Sequence, residues 1–221
     1  GYGSYEYTIN GGGSWQTTGS YTGLGPGVYN VQMRDAAQRS CIIVLDNALA
    51  IIQPAVLNAQ VSPSMVTCFG ANDGIISITN PTGGYGTYQF SIDGGDEWFD
   101  DGLFEGLAPG VYDVRIRDAA NINCVIILRS ALAITQPAEL NAVLSSTNIT
   151  CNGAHNGTIT ISMPTGGYGT FDYTIDGVNW QSSGSFSNLY PGHYNVQIRD
   201  RMHTGCIRIL DDDLEITEPE A

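Results

Sequence analysis

The chain has 221 residues, 28 of them glycine, and a formal net charge of −14 without a single lysine. Such an acidic chain repels nucleic acid and anionic membrane surfaces, so neither is an expected partner. No apolar run approaches the ~20 residues of a membrane-spanning helix, and the recurring alternation of apolar and polar residues is unlike a disordered chain.

The sequence repeats itself. Gly1-Tyr2-Gly3 returns as Gly84-Tyr85-Gly86 and as Gly167-Tyr168-Gly169, a spacing of 83 residues each time. This period exceeds those of solenoid repeats and matches the size of an independent domain, so we expect a tandem array of domains. Other landmarks recur at the same spacing, which shortens by one residue in the third hairpin: Trp15, Trp98 and Trp180; Leu24, Leu107 and Leu189; Arg34-Asp35, Arg117-Asp118 and Arg199-Asp200; Cys41, Cys124 and Cys206.

The first copy, residues 1–57, is incomplete at its N-terminal side. Gly1 aligns with Gly84, in the middle of the second copy, so the segment equivalent to Leu57–Gly83 is missing from the first. The chain is then either a window from a longer array or a unit that receives its missing strand from elsewhere. In both cases we expect the first copy to be a truncated domain.

Each of the two complete copies predicts seven short strands. In the third copy, Thr158–Ser162 and His193–Asp200 alternate with period two, the mark of a strand with one buried face. Asp176-Gly177 is a hairpin signal, and no segment shows convincing helical periodicity. The strands predicted for this copy are residues 140–145, 158–162, 171–175, 180–182, 186–189, 193–200 and 206–217.

Seven strands with turn sequences every 8–12 residues are typical of an immunoglobulin-like β-sandwich. The predicted fold is therefore all-β, with tandem immunoglobulin-like domains at residues 58–140 and 141–221 after the truncated one. Only about two residues follow Pro137 before the next strand begins. Short links of this kind, with prolines also at Pro54 and Pro219, should restrict bending. The array is expected to behave as a stiff rod.

Five cysteines occupy equivalent positions in the repeated copies, which indicates an oxidising compartment. Each complete copy has an early cysteine (Cys68, Cys151) and a late one (Cys124, Cys206), whereas the truncated copy has only Cys41. We favour bonds within a copy, Cys68–Cys124 and Cys151–Cys206, which leave Cys41 unpaired within the chain. Three alternatives stay open, because sequence does not determine connectivity: Cys41–Cys68 with Cys124–Cys151, a staple between domains such as Cys68–Cys206, and free buried thiols.

The combined motifs resemble the SprB repeat. Cys-x-Gly-x-x-x-Gly occurs at Cys68–Gly74 and Cys151–Gly157. It is followed by Gly-Gly-x-x-x-Tyr/Phe, an Asp-Gly hairpin with tryptophan, Leu-x-Pro-Gly-x-Tyr-x-Val, Arg-Asp with a late cysteine, and Ile-Thr-Gln-Pro. SprB repeats occur in very long surface proteins of Bacteroidetes, including gliding-motility adhesins. The resemblance implies type IX secretion, an extracellular cell-surface location, an array that acts as stalk, adhesin or filament, and no catalytic residues.

Two features suggest partners beyond the chain. The late strands carry the apolar runs Ile42–Leu45 and Val125–Leu128, which depart from the usual pattern and indicate extra packing between domains or subunits. An incomplete sandwich also exposes an edge that a strand from another chain can fill. The expected partners are neighbouring repeats or copies of the chain itself in a filament, with surface glycans as a further possibility.

The candidate binding residues are acidic or aromatic. Carboxylates crowd the hairpin of the second copy, and oxygen ligands suit Ca²⁺. The equivalent hairpin of the first copy, residues 10–15, lacks nearly all of these carboxylates. We therefore favour carboxylates that are simply exposed to water over a calcium site, and no cofactor is expected. The weak calcium candidate consists of Asp93, Asp96, Glu97, Asp100 and Asp101.

The recurring aromatic residues could stack on sugar rings, which makes a carbohydrate-binding module array the alternative function. Because the tryptophans recur together with the hairpin, we favour packing of the indole rings over the edge of the sandwich, rather than sugar binding. The sequence has no serine-hydrolase elbow, zinc-protease motif or Walker loop, so no enzyme is expected. The glycan candidates are Trp15, Trp98 and Trp180, accompanied by Tyr2, Tyr85 and Tyr168.

Overall fold

The computed structural model describes residues 3–220, which form fifteen β-strands and no helix. The all-β prediction is thereby confirmed. No helix capable of crossing a membrane is present in this range. The chain divides into two compact units, Gly1–Val56 and Leu57–Ala221.

The first unit is a single antiparallel sheet. Its strands are β1 (Tyr5–Thr8), β2 (Gly27–Asp35) and β3 (Ile42–Ile51), in the spatial order β1-β2-β3. Among its described residues no apolar side chain is buried, and Met33 in the middle of β2 is only half-buried. Within this unit the described residues form no second sheet that covers the apolar face.

The second unit contains two copies of one arrangement, in which two three-stranded antiparallel sheets face each other. The strands are β4 (Asn58–Ser64), β5 (Gly74–Thr82), β6 (Tyr88–Ser91), β7 (Leu103–Leu107), β8 (Gly110–Asp118), β9 (Val125–Ile134), β10 (Asn141–Thr147), β11 (Gly157–Thr165), β12 (Phe171–Thr174), β13 (Ser185–Leu189), β14 (Gly192–Asp200) and β15 (Ile207–Ile216). Sheets β4-β5-β7 and β6-β8-β9 build the second copy, and sheets β10-β11-β13 and β12-β14-β15 build the third. Because one unit holds both copies, the predicted boundary between them stays a prediction.

The apolar core of each complete copy lies between its two sheets. Ile76 on β5 and Ile116 on β8 are fully buried in the second copy, and Ile159 and Ile198 take the same places in the third. Along each strand the core residues alternate with more exposed ones, because successive side chains of a strand point to opposite faces. This alternation is the pattern from which the strands were predicted.

Each complete copy has six strands rather than the predicted seven. The segment around Trp180 makes only an isolated bridge, between Tyr173 and Gln181, instead of a strand. The carboxylate of Asp176 accepts a hydrogen bond from the backbone N–H of Val178 and shapes the hairpin turn that precedes this segment, as the Asp176-Gly177 signal predicted. The immunoglobulin-like topology stays a prediction, whereas the arrangement of small antiparallel sheets is that of β-sandwich domains.

Candidate functional site

A disulfide bond connects the two complete copies. The Cα atoms of Cys68 in the second copy and Cys206 in the third are 5.3 Å apart, although the residues are separated by 138 positions in sequence. This bond is the staple between domains that the sequence left open. The favoured pairing within a copy is wrong, and so is the pairing of Cys41 with Cys68, because Cys41, Cys124 and Cys151 carry free thiols.

Pairing within a copy fails because the two cysteines of a copy lie at opposite ends of it. The loop of Cys68 lies beside Thr135, whose carbonyl accepts a hydrogen bond from the N–H of Val66. Cys124 comes directly before β9, which runs for ten residues to Ile134. A strand of that length spans about 33 Å, whereas the Cα atoms of bonded cysteines lie within about 7 Å of each other.

The link between the two copies, residues 135–140, is held from both sides of the disulfide. On the side of the second copy, the N–H of Gly70 donates a hydrogen bond to the side chain of Gln136 at 2.8 Å. On the side of the third copy, Arg208 forms an ion pair with Glu139. We call the Cys68 loop, this link and the Cys206 loop, together with their disulfide, the junction clamp.

A buried aspartate positions Cys206 within the clamp. The carboxylate of Asp200 accepts hydrogen bonds from the backbone N–H groups of Tyr168, Met202 and His203, and the residue is fully buried. Its own N–H donates to the carbonyl of Cys206. One side chain therefore joins the Gly-Tyr-Gly turn to the loop that carries the disulfide.

Asp118 makes the same set of contacts in the second copy. Its carboxylate accepts hydrogen bonds from the backbone N–H groups of Tyr85, Ala120 and Asn121. These bonds, the one from Tyr85 above all, hold the pKa of the Asp118 carboxyl below its usual value because they favour the charged form. Sequence reasoning missed this role, although the joint recurrence of Gly-Tyr-Gly and Arg-Asp is a signal that could have identified it.

Replacing Gly167 by alanine is expected to destabilise the third copy and to loosen the clamp. Gly167 has a φ of +54°, and an added Cβ would lie 2.5 Å from an Asp200 carboxylate oxygen and 2.8 Å from a methyl carbon of Leu140. The left-handed backbone alone costs a residue with a Cβ about 1–2 kcal/mol. The overlap adds to this, because the carboxylate cannot move without losing its hydrogen bonds. Urea denaturation measures the loss in the free energy of unfolding.

Gly169→Ala is the matched control from the same turn. Gly169 has a φ of +86°, but no heavy atom lies within 4 Å of the position that its Cβ would take. This variant should lose only the backbone contribution. Equal losses for Gly167→Ala and Gly169→Ala would contradict the tight contact between the Gly-Tyr-Gly turn and Asp200.

The acidic hairpin of the second copy uses its carboxylates to shape the turn. Asp93 accepts hydrogen bonds from the backbone N–H groups of residues 95–97. Burial raises the pKa of Asp93, but its hydrogen bonds outweigh that effect and hold the pKa below its usual value. Asp101 accepts one from the N–H of Leu103. Residues 3–220 contain no group of three or more His, Cys, Asp and Glu side chains placed to hold a metal ion, so the geometry gives the calcium candidate no support.

Each recurring tryptophan lies against an arginine. All three indoles are half-buried, and such a cation–π contact contributes about 0.5–1 kcal/mol at an exposed site. Because the guanidinium covers one face of the ring, less aromatic surface is open to a sugar, which agrees with hairpin packing, and the glycan role stays a prediction. Among the accompanying tyrosines, Tyr85 and Tyr168 are exposed and Tyr2 lies outside the described residues. The pairs are Arg34 with Trp15 at 4.2 Å, Arg117 with Trp98 at 4.4 Å and Arg199 with Trp180 at 4.4 Å.

Comparison with known families agrees with the sequence motifs. The family model of the SprB repeat matches residues 61–97 and 143–179. Two segments of the chain are thus similar to the SprB repeat. The resemblance seen in the sequence is thereby confirmed, whereas no curated protein matches the chain.

The SprB match defines what the disulfide connects. Both matched segments contain the early cysteine, and they end within the tryptophan hairpin. The bond therefore runs from the early cysteine within the first matched segment to the late cysteine of the third copy, which follows the second matched segment. SprB repeats form a structural family and are typical of cell-surface, adhesin-like proteins.

Proposed function

We propose that the chain is a load-bearing, extracellular part of a cell-surface adhesin, in which stapled repeats form a stiff stalk or filament. The SprB repeats support the surface location and a structural role. The observation that carries the proposal is the Cys68–Cys206 bond, because it joins two repeats instead of closing one.

A bond between repeats changes the path of a pulling force. Tension that enters the unit at Leu57 reaches Cys68 after a single strand, β4. It then crosses the disulfide to Cys206 and leaves through β15. The residues between Cys68 and Cys206, which are 138 positions apart, are bypassed, so they cannot be pulled out while the covalent bond carries the load.

The junction clamp also limits bending. Residues 135–140 are too few to act as a flexible linker, Pro137 fixes one backbone torsion, and both sides of the link are held by side-chain contacts. A hinge motion would have to break these contacts while the disulfide stays intact. The two repeats are therefore expected to keep one orientation, which extends the reach of the array.

The chemistry of the chain suits an extracellular location. Disulfides persist in oxidising compartments, and a net charge of −14 without lysine keeps a surface protein soluble. Export by the type IX system of a Bacteroidetes cell belongs to the proposal through the SprB resemblance alone. The role requires no cofactor and no catalytic residue.

Labelling of intact cells tests this proposal. Gold-conjugated antibodies against residues 57–220 are expected to label cells that produce the native protein without any permeabilisation, at positions outside the cell envelope. Antibodies against a cytoplasmic protein of the same cells are the control and should label only after permeabilisation. If the repeats also become accessible only then, a cell-surface role is excluded.

A further inference from the structure

We propose that the junction clamp contains a binding site for a neutral oligosaccharide. A cavity of about 470 Å³ opens at the clamp, and both complete copies line it. This volume lies within the range of about 300–1,000 Å³ that is usual for sites of small ligands. A ligand of its own would give the stalk a role beyond the proposed structural one. The walls include Phe69 of the second copy, Glu139 of the link, and Ile207, Arg208 and Ile209 of the third copy.

The cavity belongs to a complete junction between two repeats. Cys68 and Cys206 in its lining are bonded to each other, and residues 137–140 of the link lie beside them. Further repeats of a longer array would attach at the opposite ends of these two copies, where Cys124 and Cys151 lie. The cavity therefore stays open whatever precedes or follows the two copies.

Phe69 contributes an uncovered aromatic ring to the cavity. The equivalent residue of the third copy is Asn152, whose side chain donates a hydrogen bond to the carbonyl of Pro219. A phenylalanine cannot form this bond, and 51% of Phe69 is exposed. Among residues 3–220 no arginine or aromatic ring stacks on Phe69, in contrast to the three tryptophans. An open ring of this kind suits the C–H groups of a sugar, which pack against the negative face of an aromatic ring.

The ion pair of Glu139 and Arg208 adds hydrogen-bonding groups. The two side chains are 52% and 39% exposed, and among the described residues each is the only side-chain partner of the other. A guanidinium has five N–H donors and a carboxylate about four acceptor positions, so most of these stay free for a ligand. Sugar hydroxyl groups donate and accept hydrogen bonds, and therefore match both members of the pair.

The charged pair is particular to this junction. The residue equivalent to Arg208 is Ile43 in the first copy and Ile126 in the second. An isoleucine at this position is compatible with the repeat, so the repeat fold does not require the arginine. The cavity between the second and third copies therefore combines an aromatic ring and an ion pair at positions where other copies have an asparagine and an isoleucine.

Charge and polarity favour a neutral sugar over other ligands. The ion pair has no net charge, and a chain with a net charge of −14 repels acidic polysaccharides. An extended peptide would bind through the backbone of an edge strand and through apolar pockets, which leaves Glu139 and Arg208 without a role. A neutral oligosaccharide uses the ring and the ion pair together.

The test is binding of the full oxidised chain to an array of immobilised neutral oligosaccharides of glucose, galactose, mannose and N-acetylglucosamine. Acidic oligosaccharides and extended apolar peptides on the same array represent the competing classes. We expect retention on at least one neutral oligosaccharide, whose affinity is then measured in solution by titration. Phe69→Asn should weaken this affinity about tenfold, because stacking on the ring is lost. Arg208→Ile should weaken it as well, because hydrogen bonds to the guanidinium are lost.

Phe99→Asn is the matched control for the aromatic ring. Phe99 is 46% exposed, close to the value for Phe69, but it lies in the tryptophan hairpin of the second copy. Its replacement should leave the affinity unchanged, and so should Trp180→Ala, which removes one of the recurring indoles. In every variant, the peptide that contains Cys68 bonded to Cys206 reports that the junction has formed.

Four results would overturn the inference: no retention on any neutral oligosaccharide, retention on the acidic oligosaccharides or the peptides alone, an affinity that Phe69→Asn and Arg208→Ile leave unchanged, or binding that is lost in Trp180→Ala. The last result would place the sugar on the tryptophan hairpin instead of the junction. Labelling of intact cells does not depend on sugar binding, so failure of this site leaves the proposed surface role testable by itself.

Discussion

A chain pulled from its two ends is expected to lengthen by about 480 Å more when Cys68 and Cys206 are both replaced by serine than in its oxidised native form. The disulfide encloses the residues between Cys68 and Cys206, which are 138 positions apart, and an unfolded chain extends by about 3.5 Å per residue. With the bond in place these residues cannot contribute to the extension, because the load passes from Cys68 directly to Cys206. Single-molecule force spectroscopy measures the difference as contour length released on unfolding.

Two controls separate the bond from other effects of substitution. Reduction of the native chain should reproduce the extension of the double variant, whereas Cys124→Ser, which removes a free thiol, should extend like the oxidised native chain. An oxidised chain that releases the same length before and after reduction would show that the staple does not carry the load. The double replacement avoids leaving a single new thiol that could pair wrongly.

Ile116→Ala is expected to destabilise the second copy by about 4 kcal/mol. Ile116 lies on β8, between the two sheets, with 0% of its surface exposed. Its truncation removes buried apolar surface and leaves a cavity, and large-to-alanine changes in closed cores cost about 2–5 kcal/mol. Chemical denaturation measures the loss in the free energy of unfolding, and hydrogen exchange at the amides of β8 measures it within the second copy.

The chain contains a matched control for this substitution. Met33 lies on β2 at the position equivalent to Ile116, one period earlier in the sequence, but it is only half-buried. Met33→Ala is therefore expected to cost about 1 kcal/mol or less, since less apolar surface is removed from contact. If both substitutions cost the same, the face of the first sheet is covered in solution by a segment outside the described residues.

The repeat unit could be predicted from local sequence to a large extent. Alternation in Thr158–Ser162 and His193–Asp200 identified β11 and β14 because a strand with one buried face requires period two. Residues 180–182 were predicted as a strand, but they make only the isolated bridge between Tyr173 and Gln181. There the side chain of Gln181 donates hydrogen bonds to the backbone carbonyls of Ser183 and Ser185, and such side-chain bonds compete with a strand ladder in a way that periodicity does not show.

The pairing of the cysteines was not predictable from their spacing. Cys68 and Cys124 share a repeat and are closer in sequence than Cys68 and Cys206, yet ten residues of β9 separate the ends of the sandwich at which they lie. The role of Asp200 was also missed, because its recurrence beside arginine does not reveal which backbone groups it contacts. Both features depend on which loops meet at one end of a domain.

By itself the amino-acid sequence determined the repeat period, most of the strand-forming segments and the resemblance to the SprB repeat, because periodicity, turn residues and motif spacing are local properties. Only the tertiary structure decided which cysteines bond, that Asp118 and Asp200 organise the end of their repeats, and that Met33 is only half-buried where Ile116 is fully buried. These outcomes depend on where strands end in space and whether a second sheet covers the first, and residues far apart along the chain set both.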